Sequence, residues 1–347
     1  MSDYTILEIH PTETKKLILI DNLLSKEGIK RDPNLDYICA MFDSENHIIA
    51  TGSCFFNTLR CFAVDSSHQG EGLLGEILSH LINIQFQRGN THLFLYTKTE
   101  AASLFASLGF YEIAKTNNSL VFMENRRNGF LDYINHLKNS QKNCRCAAVV
   151  MNANPFTLGH QYLIEKAASK CDALHIFVLS EDVSLIPFSV RKKLVTDGCS
   201  HLDNVYIHDS GSYIISNATF PSYFLKNEVS VIENHALLDI AIFAKIATSM
   251  NISDRFVGDE PNSIVTGIYN SLLAEKLPEF GVACHVIPRK KINNSIISAS
   301  NVRICLKNND FKALKELVPY TTYNYFISDQ AKSVIEAIHS AKNVIHY

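Results

Sequence analysis

Between a short apolar run and an amphipathic stretch lies Asn152-Ala-Asn-Pro-Phe-Thr-Leu-Gly-His160. Asn, Pro and Gly crowd the turn, Thr157 offers a hydroxyl, Gly159 admits a ligand close to the backbone, and His160 falls in the first helical turn. A helix start presents free N–H groups and the positive end of the macrodipole, so it is a ready anion site where a histidine can donate to a phosphoryl oxygen. A plain capped helix, with Thr157 as N-cap and His160 exposed, would use the same residues. Ile297-Ser-Ala-Ser-Asn-Val-Arg303 opens a second helix, with Ser298 or Ser300 as its cap. With Ser300 as cap, a capping box would place Glu or Gln where Arg303 stands. A cation there costs up to ~1 kcal/mol unless a polyphosphate, accepting from the serines and the guanidinium together, offsets it. Phe188-Ser-Val-Arg191 repeats the pattern of a serine followed by basic residues. Exposed arginines on solvated helix faces are the bland alternative for both.

The elements that must position these residues follow from periodicity. After residue 140 the chain alternates: strand Ala147–Met151, helix Gly159–Lys170, strand Ala173–Leu179, helix Ser189–Gly198 and strand Val205–His208. A helix near Glu233–Met250, strand Arg255–Val257, a helix near Ser263–Glu275 and strand Ala283–Pro288 continue it, with further helices at the end. Such βα alternation predicts a parallel sheet covered on both faces, with ligands at the carboxyl ends of its strands. The earlier part reads as strands Tyr37–Phe42, His47–Phe56 and Leu59–Val64, a long helix Leu73–Gln87, strand His92–Thr97, helix Ala101–Ser107 and strand Tyr111–Ala114. Polar, turn-rich segments flank a short helical pattern between Glu124 and Cys144. This predicts two domains, 1–140 with a linking helix and 141–347. The fold class is α/β, a mixed α+β domain followed by a Rossmann-like parallel-sheet domain.

Composition excludes several classes. The 347 residues carry a formal charge of −3, without the basic excess of a nucleic-acid binder. The start has acids where a signal peptide carries basic residues, and Leu237–Ala247, broken by Asp239 and Lys245, falls short of the ~18 residues of a membrane span. Nine scattered cysteines show no zinc spacing, and Cys144-x-Cys146 is too close for a redox motif. The expectation is a cytoplasmic protein with reduced thiols, no membrane partner and no metal site of its own. Glu233, His235 and Asp239 read as a helix face rather than zinc ligands, and Arg289-Lys-Lys291 as a solvated patch placed where it could steer phosphate.

Thr-x-Gly-His after the first strand and Ile-Ser-x-Ser-x-x-Arg late in the fold resemble the paired signatures of the nucleotidyltransferase superfamily. With Ala218-Thr-Phe-Pro-Ser-Tyr-Phe224, Val257-Gly-Asp-Glu-Pro261 and Ile287-Pro-Arg289 added, the whole chain is similar to the citrate lyase ligase family, which begins with an acetyltransferase-like domain. The resemblance implies an AMP-forming acid–thiol ligase using ATP and Mg²⁺, with acetate and the acyl carrier subunit of citrate lyase (its phosphoribosyl-dephospho-CoA thiol arm) as partners. It implies that Thr157 and His160 contact ATP phosphates, that Ser298, Ser300 and Arg303 hold the outer phosphates, and that Arg191 is a recurrent basic position. Asn152, Asn154, Phe156, Gly159, Gly258 and Asp259 would border the nucleotide. An adenylyltransferase acting on a phosphate ester, such as a phosphopantetheine or nicotinamide mononucleotide, would carry the same two motifs.

In the first domain Gln69-Gly-Glu-Gly-Leu-Leu74 and Leu104-Phe-Ala-Ser-Leu-Gly-Phe-Tyr111 resemble GNAT acetyltransferases, so Gln69, Gly70 and Gly72 would form a loop for a CoA-like carrier arm. Gln69 replaces the commoner Arg, and Leu74 stands where that family has Gly or Ala. Gly70-x-Gly72-x-x-Gly75 also spells a dinucleotide fingerprint, but it follows several strands and lacks the acid expected about 20 residues on.

Overall fold

A computed structural model describes residues 4–116, 120–214, 220–221, 223, 228–259, 264–292 and 295–344. The chain forms two compact units, Met1–Phe130 with Pro221–Asn234, and Leu131–Phe220 with His235–Tyr347. The expected cut near residue 140 did not foresee the excursion of Pro221–Asn234 into the first unit.

The first unit holds β1 (Thr5–Glu8), α1 (Thr14–Lys26), β2 (Tyr37–Phe42), β3 (Ile48–Phe55), β4 (Thr58–Val64), α2 (Leu73–Gln87), β5 (Phe94–Thr97), α3 (Ala102–Ser107), β6 (Tyr111–Lys115) and β7 (Val121–Glu124). Its sheet runs β1-β2-β3-β4-β5-β7-β6 and is antiparallel except where β4 meets β5. Every residue of β2 is buried because both of its faces are covered. Tyr37, Cys39 and Met41 pack with Leu73, Ile77 and Leu81 of α2. Ile38, Ala40 and Phe42, one residue out of phase, pack with Leu17, Ile20 and Leu24 of α1. Sequence periodicity passed over β1, α1 and β7. Helix α2 starts at Gly72, whose φ of 80° is a left-handed conformation that glycine adopts without strain.

The second unit follows with α4 (Gly129–Lys138, from Leu131 onward), β8 (Cys146–Met151), α5 (Leu158–Ala168), β9 (Ala173–Val178), α6 (Phe188–Gly198) and β10 (Val205–Asp209). It continues with α7 (Glu228–Met250, from His235 onward), β11 (Ile252–Gly258), α8 (Ile264–Lys276), β12 (Ala283–Ile287) and α9 (Ala299–Lys307). Its strands lie in the order β10-β9-β8-β11-β12, all parallel. The chain winds outward from β8 to one edge and then returns to the other side of β8. A switch point therefore lies between β8 and β11, where α/β sheets bind ligands. One face of the sheet buries Ala147, Val149, Leu174 and Ile176 against Ile164, Leu194 and Val302. Among the described residues no helix is long and apolar enough to cross a membrane, and no group of three or more His, Cys, Asp or Glu could hold a metal ion. Asp239 instead pairs with Arg255 and accepts from the Tyr269 hydroxyl, both at 2.7 Å.

His175 on β9 and His208 on β10 sit side by side, Nδ1 to Nε2 at 2.9 Å, and burial pushes both imidazoles down to about 4. An unfolded histidine titrates near 6.5. The unfolded chain thus binds more protons than the folded one between those values, so folding stability falls as pH drops from about 6.5 to about 4. Thermal denaturation followed by circular dichroism at constant ionic strength should show the melting temperature already falling between pH ~6.5 and about 5, the upper part of this window, before carboxylates protonate. A flat profile there would contradict buried, neutral histidines.

Candidate active site

The loop after β8 delivers its residues through one local device. Thr157 is the N-cap of α5: its Oγ1 accepts from the His160 N–H at 3.2 Å, and its own N–H donates to His160 Nδ1 at 3.1 Å. This is a capping box with histidine in the place of the usual Glu or Gln. Because Nδ1 accepts from a backbone N–H, it carries no proton, and the ring's proton sits on Nε2. Burial, and then the positive charge of Arg289, push the imidazole down to about 4, so it is neutral at pH 7. Phe156 lies parallel beneath it, with ring centroids 5.9 Å apart. Phe156 is itself held by close approach of α6: a Cβ on Gly198 would lie 2.3 Å from its Cε1.

His160 lines a cavity of about 240 Å³ at the switch point. One wall is the start of α5, with Thr157 and Gly159; the opposite wall is the start of α9, with Ser298 and Ser300. Gly258 at the end of β11, and Ile287 at the end of β12 with Pro288–Lys290 after it, add to the lining. The two helix starts lie close: a Cβ on Gly159 would come within 3.4 Å of the Ile297 carbonyl oxygen. Ser298 is the N-cap of α9, accepting from the Asn301 N–H at 3.1 Å. Arg289 donates through Nε to the Asp259 carbonyl at 2.8 Å, and the Lys290 ammonium lies 6.0 Å from the centre of the Tyr162 ring. No carboxylate is among the described lining residues. Two positive helix ends, two cations and a neutral N–H donor thus face one small volume. The chemistry this arrangement suits is binding several adjacent anionic oxygens, as in a polyphosphate.

Of the residues picked out by sequence, Thr157, Gly159, His160, Gly258, Ser298 and Ser300 come together here, and Asp259 borders them. Arg191 and Arg303 are not presented to the cavity. Arg191 is fully buried and spends its N–H groups on the carbonyls of Ile186, Leu179, Glu181 and Asn152 and on the Asn152 side-chain oxygen. Arg303 is 2% exposed and donates to the carbonyls of Val344 and Asn154 and to the Ser300 hydroxyl. What offsets a cation near the α9 start is this set of protein oxygens. Loops leaving a parallel sheet carry carbonyls with no ladder partner, and a buried guanidinium supplies donors to several at once. Phe156 and Asn152 likewise belong to the support beneath the cavity. Asn154 is 3% exposed, and neither its amide nitrogen nor its amide oxygen has a partner among the described residues. Its amide thus keeps hydrogen-bonding capacity that no described residue satisfies.

Arg289 and Lys290, read from sequence as a solvated patch placed where it could steer phosphate, line the cavity. The usable signal was their place, directly after a strand of a parallel sheet and just before the serine motif. Gln69, Gly70 and Gly72 lie in the other unit, on a separate cavity of about 750 Å³ beside β4 and β5. Ala218–Phe224 and the end of Val257–Pro261 fall partly outside the described residues.

Residues 146–326 match the citrate lyase ligase C-terminal domain, and residues 4–112 match the acetyltransferase (GNAT) family. Citrate (pro-3S)-lyase ligase from Haemophilus influenzae is 37% identical over 331 residues, covering 90% of this chain and 96% of that protein. The chain belongs to the citrate lyase ligase family. The Escherichia coli ligase is 36% identical, over 90% of this chain and 91% of its own length. A phosphopantetheine adenylyltransferase from Staphylococcus haemolyticus is 31% identical over only 71 residues, 20% of this chain and 44% of that protein. As a family member the chain is a ligase, with a GNAT-like first domain and a nucleotidyltransferase-like second domain.

If Arg191 staples the loop rather than meeting phosphate, Arg191→Lys should keep the charge, lose most of these bonds and cost about 2–4 kcal/mol of stability without any ligand. Urea denaturation of the ligand-free protein measures this. Unchanged stability with impaired pyrophosphate handling would return Arg191 to the phosphates.

Proposed function

We propose that the second unit joins acetate to the AMP moiety of ATP, and that the acetyl group then passes to the thiol arm of the citrate lyase acyl carrier subunit. In the first step an acetate oxygen forms a bond to the α-phosphorus as the bond to the β-phosphate bridging oxygen breaks, giving acetyl-adenylate and pyrophosphate. In the second, the thiolate sulfur attacks the acetyl carbonyl carbon, AMP leaves, and the thiol proton passes to solvent. Neither step needs a protein nucleophile, because in-line displacement is driven by positioning and charge neutralisation. The nine cysteines are all free thiols, and we place the enzyme in the cytoplasm, where they stay reduced.

The observation that carries this reading is the cavity without carboxylates at the switch point, where both helix starts converge with His160, Arg289 and Lys290. The His160 Nε2–H donates to an α-phosphoryl oxygen as charge grows on it. The starts of α5 and α9, with Ser298, Ser300, Arg289 and Lys290, hold the outer phosphates and receive the leaving pyrophosphate. Asn154, an amide able both to donate and to accept, completes its bonds with the bound nucleotide. Mg²⁺ would add positive charge when bound; it would be held by phosphate oxygens, since no carboxylate is among the described lining residues. In the first unit, the cavity bordered by Gln69, Gly70 and Gly72 holds the carrier's CoA-like arm, its phosphate end at the start of α2.

His160→Gln separates structure from chemistry. Glutamine satisfies the capping box but moves the donor away from the phosphate. Its stability should stay near wild type while acetate-dependent exchange of pyrophosphate into ATP falls about 10²–10³-fold. His160→Ala should lose the exchange and about 1 kcal/mol of stability as well. Near-normal exchange in either variant would sink the assignment. AMP transfer to phosphopantetheine, without any response to acetate, would favour the adenylyltransferase reading.

A further inference from the structure

The cavity in the first unit has an end-stop. Strands β4 and β5 pair in parallel only at Thr58–Phe94 and Leu59–Leu95. Past that point the cavity separates them, lined by Phe62, Ala63 and Val64 on one side and Tyr96, Thr97 and Lys98 on the other. Its mouth lies at the carboxyl ends of the strands, beside Gly70, Gly72 and the start of α2, and its vertex lies where the ladder stops. Tyr223, from the Pro221–Asn234 excursion, stands at the vertex. Its ring is 5% exposed and packs with Cys61 and Ala63 of β4. Its hydroxyl donates to the Tyr96 carbonyl of β5 at 3.3 Å and accepts a backbone hydrogen bond from Cys61. Its own carbonyl accepts from the Lys30 N–H at 2.6 Å, which fixes the backbone from which the ring projects. One side chain therefore bridges both strand edges where they part.

We propose that Tyr223 is a specificity-determining residue that lets the groove take the free thiol end of a pantetheine-type arm and reject the acetylated end. This rests on the reading that the groove holds such an arm. With phosphates at the start of α2, the arm runs down the gap and its sulfur arrives at the vertex. A free thiol ends there and packs against the phenol ring. An acetyl thioester adds a carbonyl and a methyl group in the space the ring fills. Its carbonyl oxygen also finds the Cys61 N–H already donating to the Tyr223 hydroxyl. A buried acceptor without a donor is penalised along with the steric overlap. The groove takes up the free arm and, once the arm has received its acetyl group from the adenylate, does not take it back, which prevents the acetylated carrier from blocking the next turnover.

Isothermal titration calorimetry of the full-length protein with CoA and with acetyl-CoA, without ATP or acetate, tests this. The wild type should bind CoA at least about tenfold more tightly than acetyl-CoA, the scale at which a pocket rejects a small added group. Tyr223→Ala should bring the two affinities within about twofold by tightening acetyl-CoA binding. Tyr223→Phe keeps the ring but frees the Cys61 N–H, so it should reduce the preference in part. If Tyr223→Ala fails to fold, as judged by circular dichroism, Tyr223→Phe decides alone. Equal wild-type affinities, or a preference unchanged in every folded variant, overturn the role of Tyr223 while leaving the groove reading intact. No binding of either ligand by wild type or variant overturns both.

Discussion

Loops at the carboxyl end of a parallel sheet must turn without a ladder to receive their carbonyls, and in this chain buried arginines answer that constraint. Arg191 joins the loop after β8 to the segment after β9, and Arg303 ties the same loop to the first turn of α9 and to the chain near Val344. Removing a guanidinium from water is costly, and the cost is met only because nearly every N–H finds an oxygen. Everything functional above the loop inherits its position from these bonds. They hold Asn152 and Asn154 by the backbone, place Thr157 at the helix start, and thereby aim the His160 ring. The buried ring of Phe156 then fixes the plane of that imidazole.

The electrostatics follow from the same arrangement. Burial, and then the positive charge of Arg289, disfavour a charged imidazole, and His160 stays neutral. Neutrality alone would leave the proton on either nitrogen; the Thr157 N–H decides which. A capping interaction worth only about 1 kcal/mol to the helix thus also sets a tautomer. The protein spends its positive charge locally, which is compatible with a formal total of −3.

The alternation of strands and helices after residue 140 was legible because fully buried strands and amphipathic helices have different periods. The site was legible in part, since Thr157, Gly159, His160, Gly258, Ser298 and Ser300 lie where helix starts and strand ends meet. Arg191 and Arg303 were misplaced because residue type and spacing do not report burial: a guanidinium facing phosphate and one facing loop carbonyls look alike in sequence. His160 was visible as a donor but not as a capping partner, since the usual box expects a carboxamide or carboxylate. The position of Tyr223 was illegible, because it depends on pairing between segments far apart in the chain.

That last feature bears on how the protein is made. The first unit is discontinuous: its α1-side core includes Tyr223, which the ribosome adds only after β8, β9 and β10, the first three strands of the second sheet, have been made. An amino-terminal fragment ending near residue 130 lacks the piece that bridges β4 and β5. Synthesis alone cannot complete the domains in order, so the amino-terminal domain waits, with that edge open, for a segment encoded far downstream. Truncation at the apparent boundary therefore removes part of the domain it is meant to isolate.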